Sequence, residues 1–472
     1  MRGAEPNMPH ALLIPLPLQG HISPTMQLAR KLVSDGFHVT FINTDFNHQR
    51  IIQANGNKKF THDGRDKIRM ISVPDGLPPE DRRNNVPNLL QALQNSLGPP
   101  VIRKLIQEIN DSEEEEKITC IIADVWTCFG LYTVAQHFEI PLAAFHTSLV
   151  STCAIRYFGS RLVSLGIVSQ DGSPREDQKV KYLPSMPPLD SSELPWRYGG
   201  EYMFRLGMRT GEGIKPIKWV LFNTISELEA PVVDELSKEV GVYPIGPLFP
   251  YEFQDGETPI PSFWADDVEC LGWLDRQSSQ SVIYVSFGSL AVWCERQVEE
   301  FALGLQASQR PFLWVVRSDL MDGTKAVFPP GFLEGTRDRG CIVSWAPQLR
   351  VLSHPSIACF VTHCGWNSVQ ESITMGVPML CSPYFADQFI NRTYIVDVWK
   401  AGLPLNANQD GIIENGELTK AVKRLVMEEE GVQIRKEVSK LKSIARNAVK
   451  EGGSSSNNYK LFVKEMKRQL IG

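Results

Sequence analysis

The chain has 472 residues, with 48 Lys and Arg against 54 Asp and Glu, so its formal net charge is −6. This length favours more than one domain, and 42% hydrophobic with 22% charged residues excludes a disordered chain. The acidic balance argues against a nucleic-acid partner, which requires a basic face. The nine cysteines form no CxxC pair and indicate reduced thiols. Without a signal-like segment or an apolar run of about 18 residues, we expect a cytoplasmic protein with no integral membrane segment.

The first half of the chain alternates strand and helix signals. Ser23 and Pro24 have the residue types of an N-cap and a first helical position, and Gly36 has that of a helix end. Short apolar runs without alternation predict the buried strands of a parallel sheet. These runs lie at residues 11–16, 37–42, 120–123 and 140–145.

The second half repeats this rhythm, so each half is expected to form a parallel sheet with right-handed crossovers. Its predicted strands lie at residues 281–287, 312–316, 342–343, 358–361 and 378–381. The Pro- and Gly-rich stretch at 243–261 has no helical period and reads as a linker. We therefore expect an N-terminal domain at 1–245, a linker at 246–262, a C-terminal domain at 263–457, and a helix at 458–472 that packs back on the N-terminal domain.

Several chemical signatures are absent from the sequence. No G-x-G-x-x-G follows the first strand and no P-loop occurs, which argues against a nicotinamide-dependent dehydrogenase and a P-loop nucleotidase. No D-x-D, HExxH or zinc-ligand spacing occurs either. These absences narrow the possible chemistries, and we expect that the protein requires neither a metal nor a cofactor.

The most informative stretch is 345–388. A predicted strand runs into a turn at Gly365, and a helix then begins at 366, which would present free backbone N–H groups to an anion beside His363. Ser368 and Glu371 have the spacing of a helix capping box, and spacing alone favours that structural interpretation. A cap does not account for two expected exposed tryptophans, at 345 and 366, or for the Asp-Gln pair at 387–388.

This stretch, WAPQLRVLSHPSIACFVTHCGWNSVQESITMGVPMLCSPYFADQ, resembles without insertion the signature box of plant secondary-product glycosyltransferases of family 1, which use UDP-sugars. QGHISP near the N-terminus, IIAD, YPIGPL and VSFGS extend the resemblance over nearly the whole chain. It implies a GT-B fold, in which two Rossmann-like, doubly wound parallel-sheet domains face a cleft. The N-terminal domain would bind the acceptor and the C-terminal domain the UDP-sugar.

The resemblance also implies roles for individual residues in donor binding. Trp345 would stack on uracil, with Ala346 and Gln348 beside the base, and Glu371 would accept hydrogen bonds from both ribose hydroxyls. Gln at the last position of the stretch, residue 388, resembles the family members that prefer UDP-glucose. The diphosphate ligands would be His363, Asn367, Ser368 and Ser289, and the residues facing the sugar would be Trp366, Asp387 and Gln388.

His21 and Asp124 each follow a predicted strand of the N-terminal domain, at the sheet edge where ligand crevices form. Taken singly, a loop His is usually solvated and a strand-end Asp is often a cap. In the resembling family, the matching His is the general base and the matching Asp is its partner. An acceptor hydroxyl needs such a base because it is a weak nucleophile at neutral pH.

We therefore expect an inverting glucosyltransferase that moves glucose from UDP-glucose to a hydroxyl of a small hydrophobic acceptor, a phenolic such as a flavonoid or a terpenoid. The product would be a β-glucoside, and the partners of this expected monomer would be its two small-molecule substrates. Three alternatives stay open from the sequence: another UDP-sugar, a lipid or carbohydrate acceptor, and a non-catalytic UDP-sugar-binding protein. Attack by nitrogen, sulfur or carbon is also open.

Overall fold

The computed structural model describes residues 8–54, 67–112, 116–175, 179–250, 262–317, 320–321 and 326–468. The chain forms two compact units. The first comprises residues 1–192, 196–264 and 448–472, and the second comprises residues 193–195 and 265–447.

A seven-stranded parallel sheet forms the centre of the first unit. The strands of this unit are β1 (His10–Ile14), β2 (His38–Thr44), β3 (Ile68–Val73), β4 (Cys120–Asp124), β5 (Leu142–His146), β6 (Lys179–Val180), β7 (Leu189–Asp190), β8 (Trp219–Phe222) and β9 (Val242–Pro244). The sheet has the order β3-β2-β1-β4-β5-β8-β9, while β6 pairs antiparallel with β7. Strand order reverses between β1 and β4, the position at which open α/β sheets form ligand crevices.

Helices connect the strands of this sheet. They are α1 (Gln19–Ser34), α2 (Asp45–Ala54), α3 (Val86–Ser96), α4 (Pro99–Asn110), α5 (Leu131–His137), α6 (Val150–Tyr157), α7 (Gly159–Ser164), α8 (Gly200–Gly213) and α9 (Ala230–Leu236), with 3₁₀ turns at Ser191–Glu193 and Ser226–Leu228. Every residue of β1, β4, β5 and β8 is buried, as the unbroken apolar runs predict for strands covered on both faces.

A six-stranded parallel sheet forms the centre of the second unit. Its strands are β10 (Val282–Ser286), β11 (Phe312–Val315), β12 (Gly340–Val343), β13 (Ile357–Thr362), β14 (Met379–Cys381) and β15 (Gly402–Pro404), in the order β12-β11-β10-β13-β14-β15. Its helices are α10 (Glu269–Leu274), α11 (Glu295–Ala307), α12 (Phe332–Gly335), α13 (Gln348–Ser353), α14 (Trp366–Met375), α15 (Gln388–Thr393), α16 (Asn415–Met427) and α17 (Glu429–Val449), with a π-helical turn at Tyr394–Val398. Order again reverses at the centre, between β10 and β13.

The predicted start of the first helix is wrong. Ser23 and Pro24 do not begin α1, because Leu18 is its extended N-cap residue and the helix already starts at Gln19. Pro24 therefore lies inside the helix, close to its N-terminal end, where it removes one N–H donor. As a consequence, His21 belongs to the first turn of α1 and not to a loop.

The last helix, α18 (Ser454–Arg468), packs within the first unit. Tyr459 donates from its hydroxyl to Asp35 Oδ2 at 2.7 Å, and the Phe462 ring lies 5.5 Å from the ring of Trp219. The predicted linker falls mostly on residues 251–261, outside the described residues. In the described part of the chain, no helix is both long and apolar enough to cross a membrane.

Candidate functional site

The first candidate site lies at the carboxyl ends of β1 and β4, which are hydrogen-bonded neighbours with Ile14 opposite Ala123. Asp124 ends β4, and His21 lies in the first turn of the helix that follows β1. His21 Nδ1 is 2.6 Å from Asp124 Oδ2. The Asp124 side chain is fully buried, whereas that of His21 is 22% exposed. The pair therefore joins a buried carboxylate to an imidazole that reaches solvent.

The contacts of this pair define the tautomer of the imidazole. A carboxylate only accepts hydrogen bonds, so Nδ1 carries the proton and donates it to Asp124. The other carboxylate oxygen accepts from the backbone N–H of Trp126 at 2.9 Å, which fixes the rotamer of Asp124. Within the described residues, His21 Nε2 has no hydrogen-bond partner, and its lone pair is available to take a proton.

Thr147 is a third member that the sequence analysis missed. Its Oγ1 lies 2.9 Å from His21 Nδ1, the nitrogen that also contacts Asp124. Thr147 follows β5, which pairs with β4, so it reaches the same edge of the sheet. A polar residue two positions after the predicted strand at 140–145 was the available signal. The neighbouring His146 is packed in the core: it stacks on Phe222, and burial holds the pKa of this imidazole well below its ordinary value.

The second candidate site lies in the second unit, where β13 leads through Gly365 into α14. The ring of His363 lies between Gly365 of this turn and Gly288 of the turn after β10. A Cβ atom on Gly288 would lie 2.6 Å from the imidazole, and one on Gly365 would lie 2.3 Å from its Nε2. The close packing desolvates the ring and, with the charge of Arg317 as a second cause, lowers the pKa of His363 to about 4. His363 is therefore neutral at physiological pH.

The amino end of α14 carries no side-chain cap. Its N-cap residue is Gly365, and Asn367 is partly exposed in the first turn. The capping-box interpretation of Ser368 and Glu371 is wrong, because the helix begins two residues before Ser368. Backbone N–H groups at such a terminus, together with the helix dipole, favour an anion. Ser289, in the turn after β10, is also partly exposed.

Gln348 holds the carboxylate of Glu371. Its Nε2 donates to Glu371 Oε2 at 2.7 Å and to Ser368 Oγ at 2.8 Å, while its Oε1 accepts from the hydroxyl of Tyr284 at 3.2 Å. Desolvation raises the pKa of Glu371 to about 7, and the bond from Gln348 acts in the opposite direction. The Gln348 side chain is thus engaged inside the protein, and its expected position beside the base rests on the resemblance alone.

The two tryptophans of the stretch differ in exposure. Trp345 is partly buried, and its carbonyl accepts from the N–H of Asp267 at 3.1 Å. Ala346, 5% exposed, follows it. Trp366 is only 3% exposed and packs near Trp399, with the ring centroids 6.4 Å apart, so the expectation of an exposed side chain at 366 is wrong. As the first residue of α14, Trp366 anchors the helix to the core.

Asp387 and Gln388 lie at the end of the turn between β14 and α15, and hydrogen bonds within this region fix their side chains. Asn391 donates to Asp387 Oδ2 at 3.1 Å and to the carbonyl of Cys364 at 2.9 Å, which ties this turn to the start of α14. Gln388 Oε1 accepts from the N–H groups of Tyr384 and Phe385 at 2.7 and 3.0 Å. Within the described residues, its amide nitrogen has no hydrogen-bond partner.

In the described part of the chain, no group of three or more His, Cys, Asp and Glu side chains is arranged to hold a metal ion. The two sites instead hold an imidazole with a fixed tautomer and a helix terminus beside neutral polar side chains.

Comparison with known proteins decides the family. Residues 243–448 match the family described as UDP-glucoronosyl and UDP-glucosyl transferase. Over 96% of its length the chain is 36% identical to the (R)-mandelonitrile beta-glucosyltransferase of Prunus dulcis, of which the match covers 96%. The chain belongs to the plant UDP-glycosyltransferases of family 1. It is likewise 35% identical, over 97% of the chain and 96% of the relative, to the 7-deoxyloganetin glucosyltransferase of Catharanthus roseus.

The solved structures agree with this family. Phytolacca americana UGT2, complexed with UDP-2fluoro-glucose and pterostilbene, superposes with a TM-score of 0.81 at 28% identity, covering 98% of this chain and 100% of that one. The expected GT-B fold is confirmed, and this UDP-glycosyltransferase is an enzyme, which removes the alternative of a non-catalytic binding protein. The roles of individual residues stay predictions.

Proposed function

We propose that this UDP-glycosyltransferase is an inverting, UDP-glucose-dependent glucosyltransferase that acts on a hydroxyl of a small hydrophobic phenolic or terpenoid acceptor. The observation that carries the proposal is the 2.6 Å contact between His21 Nδ1 and Asp124 Oδ2, because it leaves Nε2 as a base. Asp124 keeps the imidazole in this tautomer and stabilises the imidazolium that forms when Nε2 takes the proton.

The base makes a weak nucleophile competent. As the acceptor oxygen forms its bond to the anomeric carbon, its proton moves to His21 Nε2. The bond between that carbon and the UDP oxygen breaks on the opposite face, so an α-linked donor gives a β-glucoside. Proton transfer of this kind is worth about 10²–10⁴-fold in rate.

The second unit supplies the proposed donor site. Glu371 binds the ribose hydroxyls with its carboxylate already fixed by Gln348, and Trp345 stacks on the base. Neutral His363, Asn367, Ser368 and Ser289 join the N–H groups of α14 as donors to the diphosphate. These donors meet the charge that develops on departing UDP, and preorganised donors of this kind need no reorganisation in the transition state.

The identities of donor and acceptor rest on the relatives. The Prunus dulcis protein is named as a β-glucosyltransferase of (R)-mandelonitrile, and the Phytolacca americana structure holds a fluoro-glucose form of the donor with pterostilbene. Gln388, whose free amide nitrogen is a hydrogen-bond donor, supports recognition of a sugar hydroxyl. No metal takes part in the proposed reaction.

The test combines the purified protein with UDP-glucose, UDP-galactose or UDP-glucuronate and a panel of phenols, terpenoid alcohols, amines and thiols. Mass spectrometry identifies the product, and proton NMR gives its anomeric configuration. We expect an O-linked β-glucoside with UDP-glucose preferred. An α-linked product would contradict inversion, preference for another donor would contradict the sugar assignment, and product only from amines or thiols would contradict attack by a hydroxyl.

A further inference from the structure

Arg317 lies at the sheet edge that carries the proposed diphosphate site, although it is outside the signature stretch at 345–388. It follows β11 by two residues, and β11 pairs with β10, whose carboxyl end continues into the turn with Ser289. The side chain is almost fully buried, with 4% of the residue exposed. A buried guanidinium is costly unless its donors are satisfied, so its contacts indicate what it is for.

Two of those contacts are with the turn after β10. Arg317 Nη1 donates to the carbonyl of Gly288, and Nη2 donates to the carbonyl of Ala291 at 2.8 Å. These two carbonyls bracket Ser289 and Leu290. The planar guanidinium presents its two nitrogens in a fixed geometry, so it clamps the turn in one conformation.

The same turn contacts the ring of His363. Gly288 has a φ of +66°, and its Cα approaches the imidazole so closely that a side chain there would collide with it. Arg317 is also near enough for its charge to act on the imidazole, as the second cause of its lowered pKa. Through the turn at Gly288–Ala291 and through its charge, one side chain thus acts on two of the groups proposed to bind the diphosphate.

We propose that Arg317 is a positioning residue for the diphosphate of the UDP-sugar, because it clamps the turn at Gly288–Ala291 so that Ser289 and His363 face the phosphates. The inference rests on the proposed donor site in the second unit. Arg317 does not touch the substrate in this account; it acts through the turn and through its positive charge.

The test measures the affinity of UDP and of uridine by calorimetry for the wild-type chain, Arg317→Lys and Arg317→Met. Uridine has the base and ribose but no phosphate, so the ratio of the two affinities reports on the diphosphate alone. We expect Arg317→Met to lower the affinity for UDP by about 10- to 100-fold and the affinity for uridine by less than about twofold. Arg317→Lys should fall between, because it keeps the charge but cannot bridge two carbonyls.

Arg339→Met is the matched control. Arg339 also donates to two carbonyls, those of Gly335 at 2.9 Å and Gln306 at 3.1 Å, but it directly precedes β12 at the opposite, amino-terminal edge of the sheet. Its replacement should leave the ratio of UDP to uridine affinity unchanged. A further comparison is Ser289→Ala alone and combined with Arg317→Met, where we expect less than additive losses because Arg317 acts through Ser289.

The outcomes separate this inference from the proposed function. If Arg317→Met weakens the binding of UDP and of uridine equally, or changes the binding of neither, Arg317 has no role specific to the diphosphate. If the wild-type chain binds UDP no more tightly than uridine, the donor site itself is wrong. If Arg317→Met does not fold, Arg317→Lys is measured in its place. An unchanged ratio of UDP to uridine affinity in Arg317→Lys, together with additive losses when it is combined with Ser289→Ala, would overturn the inference.

Discussion

The amide of Gln348 donates to the carboxylate of Glu371 at 2.7 Å, and the two residues lie on the neighbouring helices α13 and α14. The bond favours the ionised form of Glu371, whereas desolvation raises its pKa to about 7. In the proposed donor site, ribose binding therefore depends on a carboxylate whose pKa of about 7 lies near physiological pH.

The first prediction concerns the pH dependence of nucleoside binding. Because the carboxylate is the better acceptor for two ribose hydroxyls, uridine affinity should weaken as the pH falls through about 7, approaching tenfold per pH unit. Glu371→Gln should remove this dependence, and Gln348→Leu should move its midpoint to higher pH because the pKa of Glu371 rises further. Uridine is the ligand to titrate, since it lacks the phosphate ionisation of UDP. An unchanged profile in Glu371→Gln would show that another group titrates.

The second prediction compares two glycines with positive φ. Gly288→Ala and Gly411→Ala both place a Cβ on left-handed backbone, at φ +66° and +78°; this strain should lower the free energy of unfolding by about 1–2 kcal/mol in each, with a further loss in Gly288→Ala from the collision with His363. Only at Gly288 would the new Cβ meet His363; at Gly411 nothing lies within 4 Å. Calorimetry should therefore show UDP affinity reduced about tenfold or more in Gly288→Ala alone. Equal affinities in the two variants would mean that the position of His363 does not matter for UDP.

The third prediction separates two functions of Gln388. Gln388→Glu keeps an oxygen to accept from Tyr384 and Phe385 but replaces the amide donor with a second acceptor. Transfer from UDP-glucose should fall about 5- to 150-fold in kcat/KM, the effect of one unpaired polar group in a desolvated site. Affinity for UDP, which has no sugar, should change little. If UDP affinity falls by as much as UDP-glucose transfer, Gln388 acts only through the conformation of its turn.

The fourth prediction is that the reaction needs no metal ion. Neutral donors and the amino end of α14 bind the diphosphate in this account, so activity after treatment with EDTA should remain close to the untreated rate. The control adds Mg²⁺ or Mn²⁺ back to the treated enzyme. Loss of most activity on chelation, with recovery on addition of the metal, would show that the diphosphate site is incomplete as described.

The repetitive features of the fold could be predicted from the sequence. The unbroken apolar runs predicted strands close to β1 and β10, because a strand buried on both faces must be apolar throughout. Asp124 directly follows such a strand and His21 lies shortly after another, but the resemblance to the family was needed to single out this pair. Their proximity follows from β1 and β4 being neighbours in the sheet, an order that local patterns do not determine.

Some of the omissions have one physical origin, which is contact between distant parts of the chain, whereas the errors at the starts of α1 and α14 are local. The capping-box pattern at Ser368 and Glu371 was misleading because α14 begins before Ser368, and both residues are instead bonded to Gln348 from another helix. Arg317 carries no local signal for its role, since its partners lie on the turn after a different strand.

The fifth prediction tests whether His21 of the His21–Asp124 pair acts as a base or only as a structural residue. Replacing His21 by Ala should lower turnover of a weakly acidic alcohol by about 10²–10⁴-fold, equivalent to roughly 3–5 kcal/mol of barrier. Asp124→Asn should cause a smaller loss, because the imidazole remains but its tautomer is no longer fixed. UDP affinity should be unaffected in both variants, since the proposed donor site is built from residues 289–388.

The most direct measurement is the turnover of His21→Ala on two acceptors, a weakly acidic alcohol and a phenol acidic enough to be ionised at the assay pH. The ionised phenol needs no base, so we expect its turnover to fall far less than that of the alcohol while UDP affinity stays at the wild-type value. Near-normal turnover of the alcohol by His21→Ala, or an equal loss on both acceptors, would contradict the assignment of His21 as the general base.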